Sequence, residues 1–141
     1  MPDQEPLLLA ALLCRGVYAT SDGDLLTEIR WGLGAVRYPA RHDLLRVYTR
    51  WANGAGTFVM ASQVLTEAGT PLTDLSGLAQ RAESTLVCTP GADLAQPGGL
   101  AVSTHVYVDL VFPAAGRYWV AISLNGTLVV RVPFWAVQAA G

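Results

Sequence analysis

Lysine is absent. All nine basic residues are arginine, set against eleven carboxylates, and charged side chains make up only 14 % of the 141 residues. A net charge of −2 with no basic stripe argues against nucleic-acid binding, which needs a cationic footprint to displace counterions. The chain is not intrinsically disordered either, because disorder requires low hydrophobicity and here 52 % of residues are hydrophobic. Long apolar runs are also missing. The best candidate, Leu7 to Leu13 (LLLAALL), follows Asp3 and Glu5, where a secretion signal needs positive charge. It falls far short of the ~20 residues that span a bilayer. The expectation is a place in the cytoplasm or inside an assembled particle such as a virion, with no secretion and no membrane partner. Cysteine is scarce: Cys14 and Cys88 each sit in an apolar segment, and two buried free thiols are expected in preference to one disulfide. Histidine is equally scarce. With cysteines at 14 and 88 and histidines at 42 and 105, no close pair of metal ligands exists, so neither a metal nor a cofactor is expected.

What the sequence has in quantity is a period of two. Leu44 to Trp51, Gly99 to Phe112, Arg117 to Leu124 and Thr127 to Val137 alternate in side-chain character as strands do. In the second of these, Leu100, Val102, Thr104, Val106, Val108, Leu110 and Phe112 make one face. Ala101, Ser103, His105, Tyr107, Asp109 and Val111 make the other. Further strands are expected at Leu7 to Val17, Leu25 to Trp31 and Thr57 to Glu67. Turn residues separate them at Ser21-Asp22-Gly23-Asp24, Asn53-Gly54-Ala55-Gly56, Ala68-Gly69-Thr70-Pro71 and Asn125-Gly126. Asn125-Gly126-Thr127 also matches a glycosylation sequon but is read as that turn. Helical spacing occurs only in Thr73 to Glu83, where Thr73 or Asp74 offers a cap. Thr89 to Gly99 carries prolines and glycines suited to a surface loop. The prediction is an all-β, Ig-like antiparallel sandwich of seven or eight strands in one domain, residues 1–141, with at most one short helix near 73–83.

The Asn-Gly hairpin near the C-terminus allows two registers. A two-residue loop pairs Leu124 with Thr127 and puts Tyr118, Val120 and Ile122 beside Val129, Arg131 and Trp135. A three-residue loop with a glycine bulge pairs Ser123 with Thr127 and gathers Tyr118, Val120, Ile122, Leu128, Val130, Val132 and Phe134 on one face. In both, each face carries large apolar side chains. Tyr107, Trp119, Val129 and Trp135 are then too many for one core. They form the candidate interaction surface, since large apolar patches seldom face water.

Catalytic patterns are weak. Ser103, His105 and Asp109 share a strand face, yet residues two apart on a strand are ~6.6–7 Å apart, beyond hydrogen-bond reach. His42-Asp43 reads as a solvated strand start. Asp22-Gly23-Asp24 lacks the bidentate glutamate of a calcium loop. Gly32-Leu33-Gly34 begins a dinucleotide fingerprint without its third glycine or a βαβ unit. An enzyme is not expected. Arg37, Arg41, Arg46 and Arg50 are a candidate anion-binding patch, with a solvated face balanced by nearby carboxylates as the alternative.

Three stretches together carry a resemblance: LAALLCRGVYATSDGD from Leu9, WGLGAVRYPARHDLLRVYTRW from Trp31, and FPAAGRYWVAISLNGTLVVRVPFWAV from Phe112. They resemble a widespread bacterial family of small single-domain proteins of unknown function, which closes on a Pro-x-x-Gly-x-Tyr hairpin. Pro113, Gly116 and Tyr118 match that motif, while Arg15 stands where an acidic residue is common and the segment 68–99 departs from the pattern. The resemblance implies an Ig-like or C2-like sandwich and supplies no site; Tyr118 would be its corner tyrosine. The functional expectation is a non-enzymatic structural or interaction protein that self-assembles or docks on a larger assembly. A decoration subunit of a phage or capsid, and an anion-binding or sensory module, are the alternatives.

Overall fold

The computed structural model describes residues 3–89 and 100–140, so the loop expected at 89–99 lies outside the described residues apart from Thr89. Ten strands follow one another: β1 (Leu7–Cys14), β2 (Gly16–Thr20), β3 (Gly23–Thr27), β4 (Gly32–Ala35), β5 (Ala40–Ala52), β6 (Gly56–Thr66), β7 (Ala82–Cys88), β8 (Ala101–Phe112), β9 (Gly116–Leu124) and β10 (Thr127–Gln138). They form a three-stranded sheet, β1-β5-β8, a five-stranded sheet, β4-β10-β9-β6-β7, and a two-stranded ribbon, β2-β3. Every pairing is antiparallel except β4 with β10, which is parallel and departs from the all-antiparallel expectation.

The strand count exceeds the expected seven or eight for identifiable reasons. The run from Leu7 to Val17 breaks after Cys14, where the chain leaves β5 to pair with β3 instead. Gly32–Ala35 and Ala82–Cys88 are further strands, in segments where none was expected. No helix occurs among the described residues. At Asp74, the expected cap, Oδ1 accepts hydrogen bonds from the Ser76 and Leu78 backbone N–H groups at 2.8 and 3.2 Å, which closes a turn. Gly77 continues that turn at φ 87°, and Thr73 and Ala79 then bridge as antiparallel partners. Leu75 and Leu78 are both 66 % exposed, so the three- and four-residue spacing finds no apolar surface to lie on. Without one, a short helix is marginal in water.

The inward faces of the three- and five-stranded sheets share one core. Leu45, Val47 and Trp51 from β5 meet Phe58, Met60 and Val64 from β6, Val120 and Ile122 from β9, and Phe134 from β10. Strand β8 buries its polar side. The valines Val102, Val106 and Val108 point outward and are exposed, while Ser103, His105 and Tyr107 point inward and are buried. At Asp109, φ is +57°, a left-handed conformation that rotates the strand, so that Leu110 and Phe112 then enter the core. Phe112 packs edge-on against Tyr118 and Phe134, with ring centroids 5.0 and 6.0 Å apart.

The C-terminal hairpin combines the two anticipated registers. Asn125 and Gly126 form a two-residue loop with φ 48° and 83°, and Leu124 pairs with Thr127 as the shorter loop requires. A bulge between Leu128 and Val130 then shifts the register, so Val130, Val132 and Phe134 oppose Ile122, Val120 and Tyr118. The commoner turn is kept, and the apolar residues still segregate. The Asn125 amide Oδ1 accepts the Val59 N–H at 2.8 Å, docking the turn on β6. The Tyr118 hydroxyl donates to the Ala114 carbonyl at 2.5 Å, the contact expected of a corner tyrosine.

Candidate functional site

The outward face of the five-stranded sheet holds most of the anticipated interaction residues. Period two and the bulge turn Leu128, Val129, Arg131, Pro133, Trp135 and Val137 outward from β10. Val129 and Trp135 are 45 % and 40 % exposed, and Val59 on β6 and Val87 on β7 extend the apolar surface across the sheet. Trp31, 70 % exposed, sits just before β4, where its carbonyl accepts the Trp135 N–H at 3.1 Å.

Trp119 lies on this face but is half-buried. The guanidiniums of Arg117 and Arg131 lie 4.8 and 4.5 Å from its ring centroid, and each such cation–π contact contributes ~0.5–1 kcal/mol at exposed sites. Arg117 is held by Glu67 at 2.6 Å. Charge on the face is thus either paired or folded down onto an aromatic ring.

The free edge of β10 is protected. Strand β4 pairs with Trp135 to Gln138, leaving the earlier part of β10 without a strand neighbour on that side among the described residues. The Trp135 N–H points toward β4, so by the strand period the nitrogen two residues earlier, at Pro133, points the same way and has no hydrogen to donate. Together with the bulge at Leu128 to Val130, this discourages strand addition and leaves the face as the available surface.

Tyr107 does not belong to this surface. It is 2 % exposed and lies inside the core, because β8 turns its polar side inward. There it starts a buried polar chain that the sequence reading missed. The Tyr107 hydroxyl and His105 Nδ1 each lie 2.6 Å from Ser62 Oγ, His105 Nε2 lies 2.9 Å from Ser84 Oγ, and Ser84 Oγ lies 2.6 Å from Ser103 Oγ. The chain links β8 to β6 and β7 across the core. His105 is thus satisfied at both ring nitrogens as a neutral imidazole, and burial pushes its pKa below the ordinary histidine value. Ser62 and His105 are 1 % and 4 % exposed, and among the described residues no carboxylate is hydrogen-bonded to the ring. Ser103 reaches His105 only through Ser84. Asp109, the third member of the anticipated constellation, forms an ion pair with Arg41 at 2.6 Å. The sequence signal was the polar face of β8 itself, on which Ser103, His105 and Tyr107 fall together.

His42 is also more enclosed than a solvated strand start. It packs edge-on against Phe112, its Nε2 has no hydrogen-bond partner among the described residues, and burial with the nearby Arg30 charge lowers its pKa.

The four arginines do not converge. Arg41 and Arg50 lie nine positions apart on β5, or ~30 Å at the strand rise. Arg41 is engaged by Asp109, and Arg37 is exposed in the segment between β4 and β5. Arg46 and Arg50 share the outward face of the three-stranded sheet, where the β2-β3 ribbon covers part of it. There the buried Tyr48 donates its hydroxyl to Asp24 at 2.8 Å. Cys14 and Cys88 are buried free thiols whose pKa values burial raises. No cluster of three metal-ligating side chains occurs among the described residues, and no helix there is long and apolar enough to cross a membrane. The sequence matches no protein-family model and no curated protein.

Proposed function

We propose that this chain is a non-enzymatic interaction protein that binds protein, foremost further copies of itself, through the outward face of its five-stranded sheet. The observation that carries the reading is the size of that open apolar face. With ~200 Å² for a tryptophan side chain and ~100 Å² for valine or leucine, the exposed fractions of Val59, Val87, Leu128, Val129, Trp135 and Val137 sum to roughly 330 Å². A standard interface buries ~800 Å² per partner, of which ~57 % is apolar, so this face supplies about three-quarters of the ~450 Å² of apolar area that one partner contributes. Near-neutral charge favours a second copy, because a strongly charged face would repel itself. The two facing sheets and the Tyr118 corner contact also support reading the fold as an Ig-like sandwich, in keeping with the family resemblance.

Truncation of Trp135 tests this. Its exposed ~80 Å² is worth ~2 kcal/mol when covered. In a two-fold dimer that loss counts twice, weakening association by ~10³-fold. Size-exclusion chromatography of Trp135→Ala should show a smaller, soluble species than the unaltered chain; identical elution of an assembled form would reject this face.

A further inference from the structure

The place where β1 leaves the three-stranded sheet opens a separate site. Strand β1 follows β5 as far as the pair Cys14 and Arg46. At Arg15 the backbone N–H turns to the Thr27 carbonyl at 3.0 Å, and Gly16 to Thr20 pair with β3. Between the departing ribbon and β5 lies a wedge of about 360 Å³. That lies within the ~300–1,000 Å³ of small-molecule sites. Its lining includes the guanidiniums of Arg15 and Arg46, the apolar side chains of Val17 and Leu44, and Thr27 and Glu28.

The charges around the wedge do not cancel. Glu28 is 3.0 Å from Arg30 and 4.0 Å from Arg15, so one carboxylate serves two guanidiniums. Arg46 is a third cation, and among the described residues no carboxylate lies within 4.0 Å of it. It is nevertheless held in place, because its Nε–H donates to the Arg15 carbonyl at 2.7 Å. Anchored through Nε, it keeps its terminal NH₂ groups free to present a planar fork suited to a carboxylate or phosphate. A positioned, unpaired guanidinium beside an apolar wall is an arrangement for an anion with a hydrocarbon body.

We infer that this wedge binds a small organic anion, its carboxylate or phosphate seated on Arg46 and Arg15 and its apolar body against Val17 and Leu44. The site is independent of the assembly face, which lies on the opposite sheet. It replaces the four-arginine patch anticipated from the sequence with one of those arginines and a fifth.

The test is a titration of the isotope-labelled full chain followed by NMR at the arginine Nε–H and backbone amide signals. The probes are benzoate, inorganic phosphate, and benzyl alcohol as a neutral counterpart of benzoate. Benzoate should shift the Arg46, Arg15, Gly16 and Thr27 signals saturably, phosphate should do so more weakly, and benzyl alcohol should not. Arg46→Gln and Arg15→Gln should each weaken benzoate binding at least tenfold, while Arg50→Gln, on the same sheet face outside the wedge, should leave it intact. The inference is overturned if neither anion shifts these signals, if all nine arginines respond alike without saturation, or if binding survives both wedge substitutions.

Discussion

Ser62→Ala probes the buried polar chain at its most connected point. Ser62 Oγ contacts both His105 Nδ1 and the Tyr107 hydroxyl at 2.6 Å, and all three residues are buried. Alanine fits the space without strain, so the structural effect is confined to two lost hydrogen bonds. Each leaves a buried polar group without its partner, at ~1–3 kcal/mol apiece, for a total of about 4 kcal/mol. Tyr107→Phe should cost less. It removes the end of the chain and leaves Ser62 bonded to His105, so about 1–1.5 kcal/mol is expected, the net worth of one hydrogen bond. Ser84→Ala is intermediate, because Ser84 is only half-buried and water can reach His105 Nε2 in its place. Urea unfolding followed by tryptophan fluorescence, with Trp51 fully buried as a reporter, gives the three values on one scale. The reasoning fails if Ser62→Ala lies within about 1 kcal/mol of the unaltered chain. It fails equally if the three substitutions cost the same.

Other consequences follow from the same packing. His105 and His42 both have pKa values lowered chiefly by burial, so the unfolded chain binds more protons than the folded one once the pH falls below the ordinary histidine range. Stability should therefore be level between pH ~6.5 and ~8 and fall as the pH drops toward 5; urea midpoints across that range check it, and a slope of opposite sign contradicts it. At Asp109, φ of +57° predicts that Asp109→Val is destabilised by ~1–3 kcal/mol, whereas Asp109→Gly loses little beyond an exposed ion pair. Equal thermal stabilities of these two variants would remove the strain argument. Tyr118→Phe should cost about 1 kcal/mol through loss of the Ala114 contact, measured by denaturant midpoint, and no change would make that contact incidental.

The strand content was legible because most strands alternate, and the hairpin turn was legible because Asn-Gly accepts left-handed backbone at both positions. Which face of β8 points inward was not. Hydrophobicity ranks Val102, Val106 and Val108 above Ser103, His105 and Tyr107, yet the polar side is buried because Ser62 and Ser84 on the facing sheet satisfy it. Such pairing depends on residues 19 to 45 positions away and leaves no local trace. The swap at Asp109 was hidden for a related reason: a run of strand-forming residues continues past it while the backbone turns. For the interaction surface, Val129 and Trp135 were correctly placed on an exposed face. Trp119 shares that face, but its partial cover by two arginines was not legible, because they come from a position two residues before it and from the neighbouring strand. The spacing of the arginines was not legible either, since strand rise separates residues that look clustered in sequence.

Sedimentation equilibrium of the full chain tests self-association through the five-stranded face most directly. With a chain mass of 15.0 kDa, the account predicts a concentration-dependent mass at a whole multiple of that value in the micromolar range, reverting to 15.0 kDa in Trp135→Ala. A mass of 15.0 kDa for the unaltered chain at every concentration would contradict it.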